Sequence, residues 1–270
     1  MKLCASYKIN PKLWDQLDEV RFSVQAMSQA VLMLEEHKDK RVIIELLDMD
    51  LHNFTVEKIH ELLDEYPNLY FDCYSMTDLI NITDDRRRYM YHYPVNTYTM
   101  LNLLIHLKVS DVTIGEPLAF DLRNLKLFLL SQEHPVRIRV TPALGRPELF
   151  NQMKDVDDGL CHFWMLPQHM GFYNDYIDAV DLYDENVTRE ETLVKLFLNG
   201  AYNKALKYYL RNGECEITAD LIDKQLLDRR LTCNQVCMQN RCHFCQTFTN
   251  FYTTVKQLQN LSDSEDSVEK

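Results

Sequence analysis

Residues 41–74 read RVIIELLDMDLHNFTVEKIHELLDEYPNLYFDCY. Two short apolar runs, RVIIELL (41–47) and LYFDCY (69–74), flank TVEKIHELLDEY (55–66), whose apolar residues recur at spacings of three and four. Short runs rich in β-branched and aromatic residues suit strands, and the longer period suits an amphipathic helix; two strands joined through a helix lie parallel. The same alternation continues outward on both sides. Strand-like runs recur at KLCASY (2–7), YMYHY (89–93), DVTIGE (111–116), VRIRVTP (136–142), CHFWML (161–166) and YIDAVDLY (176–183). Helix-like stretches SQAVLMLEEHKDK (28–40), TYTMLNLLIHLK (97–108) and LRNLKLFLLSQ (122–132) lie between them.

Eight strand-like runs in this rhythm predict an α/β fold, a TIM-like (β/α)8 barrel over residues 1–185 with short crossover helices. An open doubly wound sheet is the alternative. Residues 19–26, EVRFSVQA, fit either an additional strand or the start of the second helix. With six glycines in the whole chain and no glycine-rich loop after the first strand, a dinucleotide or Walker-type phosphate site has no support.

Strand side chains alternate between the helix layer and the barrel interior. In VRIRVT the apolar set Val136, Ile138 and Val140 faces the helices, which turns Arg137, Arg139 and Thr141 inward. In RVIIELL, Val42, Ile44 and Leu46 face out and Glu45 faces in; LYFDCY turns Asp72 and Tyr74 inward. YMYHY offers His92, DVTIGE offers Thr113 with Glu116 at its end, and CHFWML offers His162 and Trp164. Barrel interiors are ordinarily packed with branched apolar side chains, and unpaired buried charges are costly. Glu45, Asp72, Arg137 and Arg139 therefore form either an ion-paired core or a polar pocket at the C-terminal strand ends, where barrel active sites lie. For a pocket, Glu45 or Glu116 is the expected general base and Arg139 the bidentate clamp for a small anionic ligand. Asp72, His92, Asn96, Arg137, His162 and Trp164 are the expected binding residues. No nucleophile elbow and no HExxH is present, so covalent or zinc-protease chemistry has no support.

After Tyr183 the pattern becomes helical. TREETLVKLFLNG (188–200), AYNKALKYYLRNG (201–213) and TADLIDKQLLDRR (218–230) read as three helices, with Thr188 as an N-cap and Gly200 and Gly213 as C-terminal stops. Residues 233–245, CNQVCMQNRCHFC, follow and hold half of the eight cysteines. Cys233, Cys237, Cys242 and Cys245 can close a tetrahedral zinc site or hold a 4Fe-4S cluster, since thiolates suit both, and His243 can replace one of them. Zinc in a structural role is the primary expectation. Residues 186–260 thus read as a helical extension with a metal-binding cysteine cluster, and the tail SDSEDSVEK (262–270) within 261–270 as a disordered acidic end.

A net charge of -12 removes any general attraction to nucleic acid or anionic lipid. The one basic and aromatic stretch is DDRRRYMYHY (84–93), whose Arg86, Arg87 and Arg88 read as a solvated surface. No apolar run of membrane-spanning length and no secretory leader is visible, and Cys4, Cys73 and Cys161 lie in strand-like runs as reduced thiols, so the expected location is cytoplasmic.

Residues 93–126, YPVNTYTMLNLLIHLKVSDVTIGEPLAFDLRNLK, resemble the middle of the collagenase-like peptidase family, with Asn96 at a strand end before a helix and Glu116 at the end of the next strand. The resemblance implies a barrel, a tie to peptidase activity or to hydroxylation of RNA or quinone precursors, and in several members an iron-sulfur cluster. Here the clustered cysteines lie further toward the C-terminus than that pattern places them. Two functions compete: an enzyme or enzyme accessory with a polar mouth and a C-terminal metal, acting on a small anionic or nucleic-acid-derived substrate, and a non-catalytic scaffold whose cysteine-bearing extension docks a protein partner.

Overall fold

The computed structural model describes residues 1–47, 55–116, 118–141, 167–184 and 186–200, with Met165 and Asp228 besides. Eight parallel strands close into a barrel in sequence order: β1 (Lys2–Ser6), β2 (Glu19–Ser23), β3 (Arg41–Leu46), β4 (Leu69–Cys73), β5 (Tyr89–Val95), β6 (Asp111–Ile114), β7 (Arg137–Val140) and β8 (Ala179–Asp181). β1 pairs with both β2 and β8, through Cys4↔Glu19 and Leu3↔Val180, so the ring has no free edge. Among the described residues the helices are α1 (Pro11–Trp14), α2 (Met27–Glu36), α3 (Val56–Glu65), α4 (Met76–Ile82), α5 (Tyr98–His106), α6 (Leu122–Leu130), α7 (Met170–Tyr173) and α8 (Val187–Asn199). They are as short as the compressed length requires.

The expected barrel is present, with one strand exchanged. EVRFS is β2, and β7 pairs directly with β8 through Arg139↔Ala179 and Val140↔Val180, which leaves no place between them for CHFWML as the seventh strand. Residues 161–164 of that run, with His162 and Trp164, lie outside the described residues. The exchange has a physical cause. Glu19 and Arg21 both point into the barrel and are buried, so β2 combines strand alternation with a charged inner face that apolar content alone does not reveal.

Alternation elsewhere holds as expected. Val42, Ile44 and Leu46 join the main core between barrel and helices, whereas Ile43, Cys4 and Met90 form a separate small apolar cluster with Tyr70 against it. That cluster is the apolar middle of the barrel interior. Cys4 and Cys73 are buried free thiols.

At the C-terminal strand ends, polar caps start the helices: Thr55 accepts from Lys58 N, Ser75 from Asp78 N and Thr97 from Met100 N. Each satisfies a backbone donor that the first helical turn leaves open. For α8 the cap is Asn186, which accepts from Arg189 N, rather than Thr188; Gly200 stops the helix in the left-handed conformation at φ 63°. Leu193, Val194 and Phe197 of α8 are buried in the main core. This helix packs on the same core as the barrel, past residue 185. Residues 201–227 and 229–270, with Cys233, Cys237, Cys242 and Cys245, lie outside the described residues. Among the described residues no helix is long and apolar enough to cross a membrane.

Candidate active site

Charged side chains fill the barrel interior in two layers, below and above the apolar middle. The lower layer gathers at the N-terminal strand ends. Glu19 and Asp111 face Arg41, Arg137 and Arg139: Arg41 Nη1 lies 2.6 Å from Asp111 Oδ2, and Arg137 is 3.1 Å from both Glu19 Oε1 and Asp111 Oδ1. Arg139 donates to Glu19 Oε2 and lies 3.6 Å from Asp111 Oδ1. The Arg41 guanidinium also covers the Tyr70 ring at 3.7 Å. Burial alone would raise the Glu19 carboxyl, but Arg139, Arg41 and Arg137 outweigh it and hold it down at about 2. Beneath this layer an open cleft includes Lys2, Asp18, Arg137 and Asp178 in its lining, at the barrel face associated with stability.

The upper layer sits at the C-terminal strand ends. Here Arg21 faces three carboxylates: it donates to Asp72 Oδ2, reaches Asp181 Oδ2 at 2.5 Å, and lies 3.6 Å from Glu45 Oε1. Arg139 reaches up toward Asp181 at 3.7 Å and links the two layers. His92 Nδ1 is 2.9 Å from Asp72 Oδ2, and the Tyr74 ring stacks on the imidazole at 3.6 Å and 14°. Burial would raise the Asp72 carboxyl, but Arg21 and His92 outweigh it and hold it at about 2. Burial raises the Glu45 carboxyl against the pull of Arg21, with Asp72 adding to the rise. Asp72 Oδ1 and Glu45 Oε1 are buried without a hydrogen-bond partner.

The backbone is adapted at this point. Between Tyr91↔Val112 and Val95↔Ile114 the β5 chain spends four residues on two of β6, a bulge that spans His92, Tyr93 and Pro94. Bulges re-aim side chains and recur beside active sites. Gly115 packs under it: a Cβ there would stand 2.8 Å from Pro94 Cβ, closer than carbon atoms tolerate.

One further polar contact seals the rim. Glu190 of α8 accepts from Ser6 N at 2.5 Å and from Ser6 Oγ at 2.8 Å, and burial pushes its carboxyl up to about 7 despite both hydrogen bonds, with Asp181 and Asp184 adding to the rise.

Among the expected site residues, Glu45, Asp72 and His92 come together, with ligand-capable atoms all within 4.8 Å of one another. Arg137 and Arg139 do not join them; both belong mainly to the lower layer, and Arg139 is 1% exposed. Arg139 is therefore committed to Glu19 and Asp111 instead of standing open as an anion clamp. Glu116 is half-buried in the turn after β6, outside the group of three, and Asn96 is exposed beyond β5. The expectation missed Arg21, Glu19, Asp111, Asp181 and Glu190. Arg21 and Glu19 were legible from the alternation of Val20 and Phe22 with charged neighbours.

The basic stretch is occupied locally. Arg86 pairs with Asp84 and, at 2.9 Å, with Asp64, while Arg88 donates to the carbonyls of Leu63 and Tyr66 and so caps the C-terminal end of α3. Two of the three arginines thus serve the fold.

Neither a known protein family nor a curated protein matches this sequence. Among solved structures, a 4-hydroxy-2-oxoglutarate/2-dehydro-3-deoxyphosphogluconate aldolase is similar at 10% identity and a TM-score of 0.40, covering 73% of this chain and 93% of its own. A designed cube-shaped, porous protein cage made by fusing symmetric oligomeric domains is similar at 10% identity and a TM-score of 0.45, covering 100% of this chain and 86% of its own. Neither likeness bears on what the chain does.

Proposed function

We propose that the chain is an enzyme-like barrel that works at its C-terminal mouth, where Asp72 and His92 form an acid–base pair beside Glu45. The observation that carries this reading is the 2.9 Å contact between Asp72 and His92 Nδ1 under the stacked Tyr74 ring. Asp72 fixes the imidazole from one side, which leaves Nε2, unengaged among the described residues, to take or give a proton. Glu45 supplies a second carboxyl, raised by burial, within reach of the same small molecule. With three carboxylates around one arginine, the mouth favours a neutral or cationic group, or an anion held through a metal. The zinc or 4Fe-4S site proposed on Cys233, Cys237, Cys242 and Cys245 remains a separate proposal resting on their spacing.

The competing reading is a scaffold that docks a partner through its cysteine-rich extension. It draws on the closed, ion-paired lower layer. A thermal-shift screen of small polar metabolites, run on the wild type and on His92→Gln, separates the two. Stabilisation by a compound class that disappears in His92→Gln is the expected result. A wild type indifferent to every compound at millimolar concentration hands the function to the scaffold reading.

A further inference from the structure

We infer that Glu45, Asp72 and His92 bind one divalent cation of the manganese, iron or zinc class. The inference deepens the reading of the mouth as the working end and rests on it, with the metal taking the place of the hydrogen bond between His92 Nδ1 and Asp72 when bound. Three observations meet here. The three residues offer an imidazole nitrogen and two carboxylate oxygens within 4.8 Å of one another. The 2.9 Å separation of His92 Nδ1 from Asp72 Oδ2 is close to the roughly 3 Å edge expected between neighbouring ligands when metal bonds are about 2.1 Å. Asp72, 1% exposed, keeps Oδ1 without a hydrogen-bond partner among the described residues, and the partly buried Glu45 Oε1 makes no hydrogen bond either, with Arg21 Nη1 3.6 Å away. A buried carboxylate oxygen with no protein donor is stabilised by a bound cation.

The charge of the layer agrees. Glu45, Asp72 and Asp181 face Arg21, with Arg139 3.7 Å from Asp181, which leaves net negative charge that a cation offsets. Arg21 keeps Asp181 as its partner at 2.5 Å when Asp72 turns to the metal. One imidazole with two carboxylates lies between the hard oxygen sets of calcium and magnesium and the thiolate sets of structural zinc, which selects the intermediate class. Three protein ligands leave positions for water or substrate, as in catalytic sites. The bulge in β5 is the device that brings His92 to this edge.

The test titrates Mn2+ into the EDTA-stripped full chain and follows the free aquo ion by electron paramagnetic resonance. Manganese avoids thiolates, so the cysteines are not read out. Wild type and a Cys242→Ser, Cys245→Ser variant are each expected to bind one Mn2+, and Glu45→Gln and His92→Ala to bind at least about tenfold more weakly. Glu45→Lys keeps the assay decisive should either variant unfold: its ammonium removes the surplus negative charge, so it is expected to fold and to take up no Mn2+. A wild type that binds no Mn2+, or mouth variants that bind like the wild type, overturns the inference. A compound from the thermal-shift screen that binds the EDTA-stripped protein through His92, with no Mn2+ uptake, would overturn the metal while leaving the acid–base reading in place.

Discussion

At the lower end of the barrel three arginines face two carboxylates, whereas at the upper end one arginine faces three. The lower residues touch one another at 2.6 to 3.1 Å and every carboxylate there has at least two guanidinium neighbours. The upper carboxylates share Arg21; Glu45 Oε1 and Asp72 Oδ1 make no hydrogen bond among the described residues, and neither does Asp111 Oδ1 at the floor, but Asp111 Oδ1 has Arg137 at 3.1 Å and Arg139 at 3.6 Å beside it. Complementary charges close the first layer into a floor. Surplus charge leaves the second poised to accept a proton, a cation or a ligand, and the difference lies in ratio rather than in residue type.

The largest contrast is expected from cutting one carboxylate or its partner at the floor. Glu19→Gln and Arg139→Met each strand buried opposite charges and should cost about 3–5 kcal/mol in urea unfolding. Acid should act in the same direction. Glu19 and Asp72 have carboxyls held at about 2, below their unfolded values, so their contribution is present above pH 4.5 and is lost as pH falls toward 2.

A smaller effect is expected where the backbone shapes the mouth. Gly115→Ala forces Pro94 aside and should cost about 1–3 kcal/mol, with the near-ultraviolet signal of Tyr74 and Tyr93 altered. Unchanged stability together with an unchanged signal would show that the bulge is not held from below.

Glu190 sharpens the comparison by pH. Its carboxyl titrates at about 7, above the unfolded value, so its contribution is fully present below pH 4.5 and is lost as pH rises through 7. Wild-type stability should lose up to about 1.4 kcal/mol per pH unit across that window from this group, and Glu190→Gln should flatten the slope. Equal slopes in chemical denaturation at pH 5, 6 and 7 would refute it.

The smallest effect is the most diagnostic. Glu45→Gln removes surplus charge from the metal-free mouth and should change stability by less than about 1 kcal/mol, or raise it, against the loss at Glu19. A loss equal to that of Glu19→Gln would erase the distinction between the two ends.

Alternation made much of this legible. RVIIEL and VRIRVT present Glu45 and Arg139 inward as their apolar partners require, and LYFDCY does the same for Asp72. What alternation cannot reveal is height along the barrel axis. Arg139 and Asp72 both point inward, but strand register sets Arg139 against the floor carboxylates and Asp72 at the mouth. The ambiguity of EVRFS has a related origin, because a strand whose inner face is charged looks less like a strand than an apolar run does. Arg21, the hub of the upper layer, follows from alternation only once EVRFS is taken as a strand.

The clamp between Ser6 and Glu190 joins residues 184 positions apart, and β1 likewise waits for β8 to complete its pairing. During synthesis β1 therefore leaves the ribosome with β8 and Glu190 still unmade for roughly 10–40 s at ordinary elongation rates. A chain truncated before β8 would carry an open sheet edge along β1 and an unsatisfied Ser6, and a cell that shields nascent edges would have most to do at that strand.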